Sequence, residues 1–89
     1  MISDKEYDGI DYYLQKSKLY DSGFYLCQRD NGECYFHDEE VNGEDLTLEE
    51  GLQLVYESMV FEYVSEYPIE IKEGLKQLFY RVLGVRLEI

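Results

Sequence analysis

Residues 23–38 read GFYLCQRDNGECYFHD. Two aromatic-rich runs flank Asn31-Gly32, a pair suited to a two-residue type I′ turn because both residues tolerate positive φ. The pattern predicts a β-hairpin. A two-residue loop sets Arg29 opposite Cys34 and Cys27 opposite Phe36. Side chains alternate along a strand. One face is therefore expected to carry Tyr25, Cys27, Cys34 and Phe36, and the other Phe24, Leu26, Tyr35 and His37. Both faces hold apolar groups, so either both are covered or one is a contact surface.

Helical patterns lie on both sides of this hairpin. Upstream, Ser3 and Glu6 have the spacing of a capping box. Tyr7, Ile10 and Leu14 follow at intervals of three and four, which places them on one helix face. Gly9 weakens that helix, and Asp21-Ser22-Gly23 stops it. Downstream, Thr47 and Glu50 form a second capping box. A helix is expected from there to the residues before Pro68, because proline pushes its predecessor out of the helical region. Its buried stripe is Leu48, Leu52, Val55, Tyr56, Met59, Val60, Tyr63 and Val64, with Leu54 and Phe61 off the stripe. A last helix over about residues 70–83 buries Ile71, Leu75, Leu78, Phe79 and Val82, and Gly84 can end it. The tail, VRLEI, alternates like a short strand that could join the hairpin. The order helix, hairpin, helix, helix predicts an α+β fold: an N-terminal helix, a small antiparallel sheet and two C-terminal helices packed on it.

The 89 residues make a single domain, residues 1–89. A chain this short buries roughly 60–65% of the surface its unfolded form exposes, enough for one modest core. Hydrophobic residues make up 45% of it, which argues against disorder despite the charge. Twenty acidic residues face eight basic ones, for a net charge of −12. The imbalance is concentrated: residues 21–70 hold fourteen acids against Arg29 alone. Such a chain repels nucleic acid and anionic membranes and attracts basic surfaces or cations. No basic, apolar leader is visible at the N-terminus, and no run approaches the roughly 20 apolar residues that span a bilayer. A reducing cytoplasmic setting is the expectation for the two cysteines.

The segment DEEVNGEDLTLEE, residues 38–50, carries seven acids and raises the question of a metal. Asp38, Glu40, Asn42, Gly43 and Glu49 fall at positions 1, 3, 5, 6 and 12 of a calcium-binding loop, and this resembles the EF-hand pattern. Glu at position 3, Asp45 at the usually aliphatic position 8 and a strand-like ECYFH before the loop depart from it. A turn followed by a capped helix is the leading reading, with calcium a minor alternative. Zinc is disfavoured because the predicted register points His37 away from both cysteines and no CxxC spacing exists. A Cys27–Cys34 disulfide is disfavoured because the two are diagonal neighbours. There is one histidine, no nucleophile-elbow motif and no glycine-rich phosphate loop, so no enzyme and no cofactor are expected.

Charge then becomes the candidate function. Duplex DNA carries one negative charge per roughly 1.7 Å of axis, and its binding proteins present basic grooves. Helical acids four residues apart lie about 6 Å apart on one face. Glu49, Glu57, Glu62 and Glu66, continued by Asp38, Glu39, Glu40, Glu44 and Asp45, are expected to imitate a phosphate backbone, with Glu50 beside them. Tyr35 and Phe61 are the expected aromatic contacts. Size, acidity, tyrosine content and element order resemble small phage-encoded inhibitors that mimic nucleic acid, among them Cas9-blocking anti-CRISPR proteins and inhibitors of DNA-repair glycosylases. The resemblance spans the whole chain as architecture and charge, with no residue motif and hence no residue role carried over. It implies a non-enzymatic inhibitor of a basic, nucleic-acid-binding protein surface, acting as a monomer or dimer, without direct binding to nucleic acid or membrane. The alternative is a regulatory or immunity-type protein that binds through the hairpin face, its acidity serving solubility.

Overall fold

The computed structural model describes residues 7–39, 45–58 and 64–89. Its elements are α1 (Asp8–Lys16), α2 (Lys18–Asp21), β1 (Phe24–Gln28), β2 (Cys34–Asp38), β3 (Asp45–Thr47), α3 (Leu48–Ser58) and α4 (Ile69–Leu83). A 3-10 turn, Val64–Glu66, precedes α4. The three strands form one antiparallel sheet in the order β1-β2-β3. The expected α+β architecture is present, with the helices on one face of the sheet.

The hairpin forms, but in a different register. Leu26 faces Phe36, Cys27 faces Tyr35 and Gln28 faces Cys34. The Arg29 N–H donates to the Glu33 carbonyl, and the Gly32 N–H closes a turn on the Arg29 carbonyl at 2.9 Å. The connection is thus three residues, Asp30-Asn31-Gly32, with Gly32 at φ 90°. A turn closed by a left-handed glycine is the usual three-residue hairpin loop. The Asn31 side-chain oxygen accepts the Glu33 N–H and fixes the exit. A shift of one residue moves every side chain of a strand to the other face. The face that packs on the helices therefore carries Phe24, Leu26, Cys34, Phe36 and Leu46, and not the expected set. Phe36 is fully buried and stacks on Phe24 at 5.0 Å between ring centroids. Burying such a ring contributes about 1.5–3 kcal/mol. The two-residue register would have exchanged Phe36 for Tyr35 and His37 on the packed face. The cost of burying their polar tips decides against it.

Three further expectations change. The tail does not add a strand: residues 84–89 are irregular, although Leu87 is buried in the core. Residues 45–47 pair with β2 instead. They lie close to β2 along the chain, so the closing loop costs less entropy than one reaching from residue 85. The N-terminal helix is split at Ser17, whose backbone N–H and hydroxyl both donate to the Leu14 carbonyl at 3.1 Å. Serine competes with the helical ladder in this way. Ser22 repeats the device on the Leu19 carbonyl. The Ser3–Glu6 box lies outside the described residues. Finally, where an α-helix is expected up to the residues before Pro68, α3 is described to Ser58 and residues 64–66 form a 3-10 turn. Met59, Val60, Phe61, Glu62 and Tyr63 lie outside the described residues.

Two glycines set how closely the layers approach. A Cβ on Gly51 would be driven into the Phe36 ring, and one on Gly9 would meet the Leu75 backbone N at 2.9 Å. Gly9 thus lets α1 pack against α4, and Gly51 lets α3 lie on β2. The core that results is Ile10, Tyr13, Leu14, Phe24, Phe36, Leu52, Val55, Leu75, Leu78, Phe79 and Leu87. Gly84, at φ 70°, ends α4 and donates to the Tyr80 carbonyl, as expected. Among the described residues no helix is long and apolar enough to cross a membrane.

Candidate interaction surface

The helices cover one face of the sheet and leave the other partly open. Register partners share a face, so the open side carries Tyr25, Cys27 and Arg29 from β1 and its turn. Tyr35 and His37 come from β2, and Asp45 and Thr47 from β3. All of these are half-buried or exposed. His37 shares this face with Cys27 and not with Cys34, a correction to the expected arrangement that follows from the register. Cys27 and Cys34 point to opposite faces, and both are free thiols. Among the described residues no three His, Cys, Asp or Glu side chains gather as metal ligands.

Asp45 is the hub of this face. Its Oδ1 lies 3.0 Å from His37 Nδ1, and its Oδ2 lies 3.8 Å from Arg29 Nη2. The Arg29 guanidinium sits over the Tyr35 ring, 4.2 Å from its centroid, and its Nε is 3.8 Å from Glu33. These are surface pairs between half-exposed groups and hold the fold by no more than about 1 kcal/mol each. The Tyr35 phenol is held above its ordinary range, first by its electrostatic interaction with the neighbouring Cys27 sulfur, then by burial and Asp45, while Arg29 opposes the shift.

The other expected contact residues are spread over several elements. Asp38 ends β2 and, with Leu19, Ser22, Phe24, Leu54 and Ser58, lines a shallow depression of about 160 Å³. Glu39 follows it, its N–H donating to the Gly23 carbonyl. Glu49 and Glu57 are exposed on α3, where Gln53 donates to Glu57 at 3.2 Å. The Glu50 carboxylate accepts the Thr47 N–H, and the Glu50 N–H donates to Thr47 Oγ1 at 3.1 Å, so the expected capping box is formed. Glu66 lies in the 3-10 turn, not on α3. Of the expected row, Glu49 and Glu57 are thus on α3 and Glu66 is in 3-10 geometry. Glu40, Glu44, Phe61 and Glu62 lie outside the described residues. So does Asn42, the third oxygen donor of the calcium reading after Asp38 and Glu40. Glu49, its last donor, is the second residue of α3.

Glu39, Glu49, Glu57 and Glu66 are exposed and pair with no cation among the described residues. Leu54, 41% exposed, and Tyr56, 40% exposed, stand on α3 among them. Tyr56 reaches the edge of the core at Phe79, 6.2 Å between ring centroids. Sequence reasoning missed β3 and with it the role of Asp45, because a three-residue strand has no periodicity to detect. It also missed Arg29, whose position over Tyr35 depends on the hairpin register.

The chain matches no protein-family model, and comparison with curated proteins and with solved structures finds no significant match.

Proposed function

We propose that this protein is a non-enzymatic interaction module that binds and blocks a basic protein surface, of the kind that otherwise holds nucleic acid. The contact runs through the acids of residues 38–66 together with Tyr35, Asp45 and the region around Phe61. The observation that carries this reading is the exposed Leu54, one turn before Glu57 on α3, together with Glu49 and Glu57, carboxylates that have no cationic partner among the described residues. Unpaired charge gives fast, steered association, and an exposed apolar anchor supplies the specificity that charge alone lacks. The mimicry of nucleic acid belongs to the same proposal, as does a reducing cytoplasmic setting.

The open sheet face favours a second reading. There Tyr25, Cys27, Tyr35 and His37 form a mixed surface through which a regulatory or immunity-type protein would bind, with acidity serving solubility.

The two readings separate by salt. The immobilised protein is exposed to bacterial lysate at low and high salt, with and without competing duplex DNA, and retained proteins are identified by mass spectrometry. Capture of nucleic-acid-binding proteins that both salt and DNA release supports the blocking role. One partner that survives both challenges supports the hairpin face. Retention of nothing above background removes the leading proposal.

A further inference from the structure

Residues 21–70 contain one basic side chain, Arg29, and the fold lays it across the open face of the sheet. Its guanidinium rests on the Tyr35 ring at 4.2 Å, with Asp45 and Glu33 carboxylates each 3.8 Å away. An aromatic plane flanked by carboxylates suits a guanidinium, which stacks and forks, better than an ammonium, which is a compact, strongly hydrated point charge. Yet Arg29 is loosely held. Both ion pairs exceed the roughly 2.7–2.9 Å of a charge-assisted hydrogen bond, and its side chain is 47% exposed.

We infer that the open sheet face is an arginine-recognition surface, with Arg29 as a built-in occupant that an arginine of a basic partner displaces. This inference rests on the proposed binding of a basic surface and narrows it to arginine-rich partners. Charge complementarity supplies the attraction: Arg29 is outnumbered fourteen to one by acids in its segment. Tyr35 supplies the discrimination, because ring stacking rewards a guanidinium over an ammonium. Displacement exchanges one exposed stack for an equivalent one, so the internal occupant offsets the stacking gain, and the preference for arginine is expressed in full only once Arg29 is removed. Empty, the face would leave Tyr25, Cys27 and Tyr35 open to nonspecific contact.

The test uses fluorescence anisotropy with labelled polyarginine and polylysine peptides of equal length. In the wild type, where Arg29 occupies the ring, the two peptides are expected to differ in affinity by less than about twofold, against about three- to fivefold in favour of polyarginine once the ring is vacated, the ratio an exposed cation–π contact supports. Arg29→Gln vacates the ring and should widen that ratio, beyond the equal strengthening of both peptides that its lost charge causes. Added to Arg29→Gln, Tyr35→Leu should remove the widening, whereas Tyr35→Phe, which keeps the ring, should preserve it and serves as the folded control. No widening of the ratio in Arg29→Gln, or a widening that persists when Tyr35→Leu is added, would overturn the inference while leaving the cationic-partner proposal intact. If neither peptide binds at low salt, both fall.

Discussion

At the scale of single residues, glycines at similar helical positions carry opposite consequences. Gly51 and Gly74 both sit inside helices, where alanine is intrinsically better by about 1 kcal/mol. A Cβ at Gly74 meets nothing within 4 Å, so Gly74→Ala is expected to stabilise the protein by about 0.5–1 kcal/mol. A Cβ at Gly51 runs into the buried Phe36 ring, and overpacking of that kind costs about 1–3 kcal/mol. Gly51→Ala is therefore expected to lower the urea midpoint while Gly74→Ala raises it. Two midpoints moving in the same direction would contradict the placement of α3 on β2. Tyr67 gives a test in alkali. Burial raises its phenol above the ordinary value of 10.0, and Tyr12, edge-on at 5.0 Å, adds to the shift. The fold favours the neutral form, so this contribution is complete below the ordinary phenol value and is lost as pH rises through the raised one. Wild-type stability should fall above pH ~10, and Tyr67→Phe should weaken that fall. Denaturant titrations at several alkaline pH values would show it, and parallel curves for the two proteins would exclude it.

At the scale of elements, Thr47 joins two structures. It ends β3, and with Glu50 it closes the capping box that starts α3, so strand and helix meet without a connecting loop. Replacing a capping threonine by alanine costs about 0.5–2 kcal/mol. Thr47→Ala is expected to fall in that range by chemical denaturation, with Thr47→Ser near wild type. A loss below a few tenths of a kcal/mol would mean that β3 and not the cap holds the helix start. Both capping residues were legible in the sequence because the reciprocal side-chain bonds depend on spacing alone. The hairpin was legible in kind but not in register. The composition of the turn allows a two- or a three-residue loop, and the choice was made by which aromatic ring the helices bury.

At the scale of the whole molecule, acids dominate the sheet and α3, while α4 and its tail carry Lys72, Lys76, Arg81 and Arg86. The protein measures 34 × 26 × 23 Å, several times the Debye length of about 8 Å at physiological salt. Repulsion among its twenty acids is therefore screened by modest salt, whereas the few exposed ion pairs contribute little to lose. The melting temperature is expected to rise as sodium chloride is raised from low salt to about 0.2 M. A fall across that range would show that the ion pairs around Asp45 outweigh the repulsion. The same screening weakens a charge-driven partner contact, so stability and affinity should move in opposite directions with salt.

The sequence by itself determined the order helix, hairpin, helix, helix, the α+β class, the cap at Thr47, the end of α4 at Gly84 and the concentration of negative charge in residues 21–70. Each of these follows from local spacing or from composition, which the chain carries wherever it folds. Only the tertiary structure decided the hairpin register, the choice of residues 45–47 as third strand, and the close approaches at Gly9 and Gly51. It also decided the assembly of Arg29, Tyr35, His37 and Asp45 on one open face. Those outcomes depend on which side chains the helices must bury and on which loop closes at the least entropic cost, and both are set between segments distant in sequence.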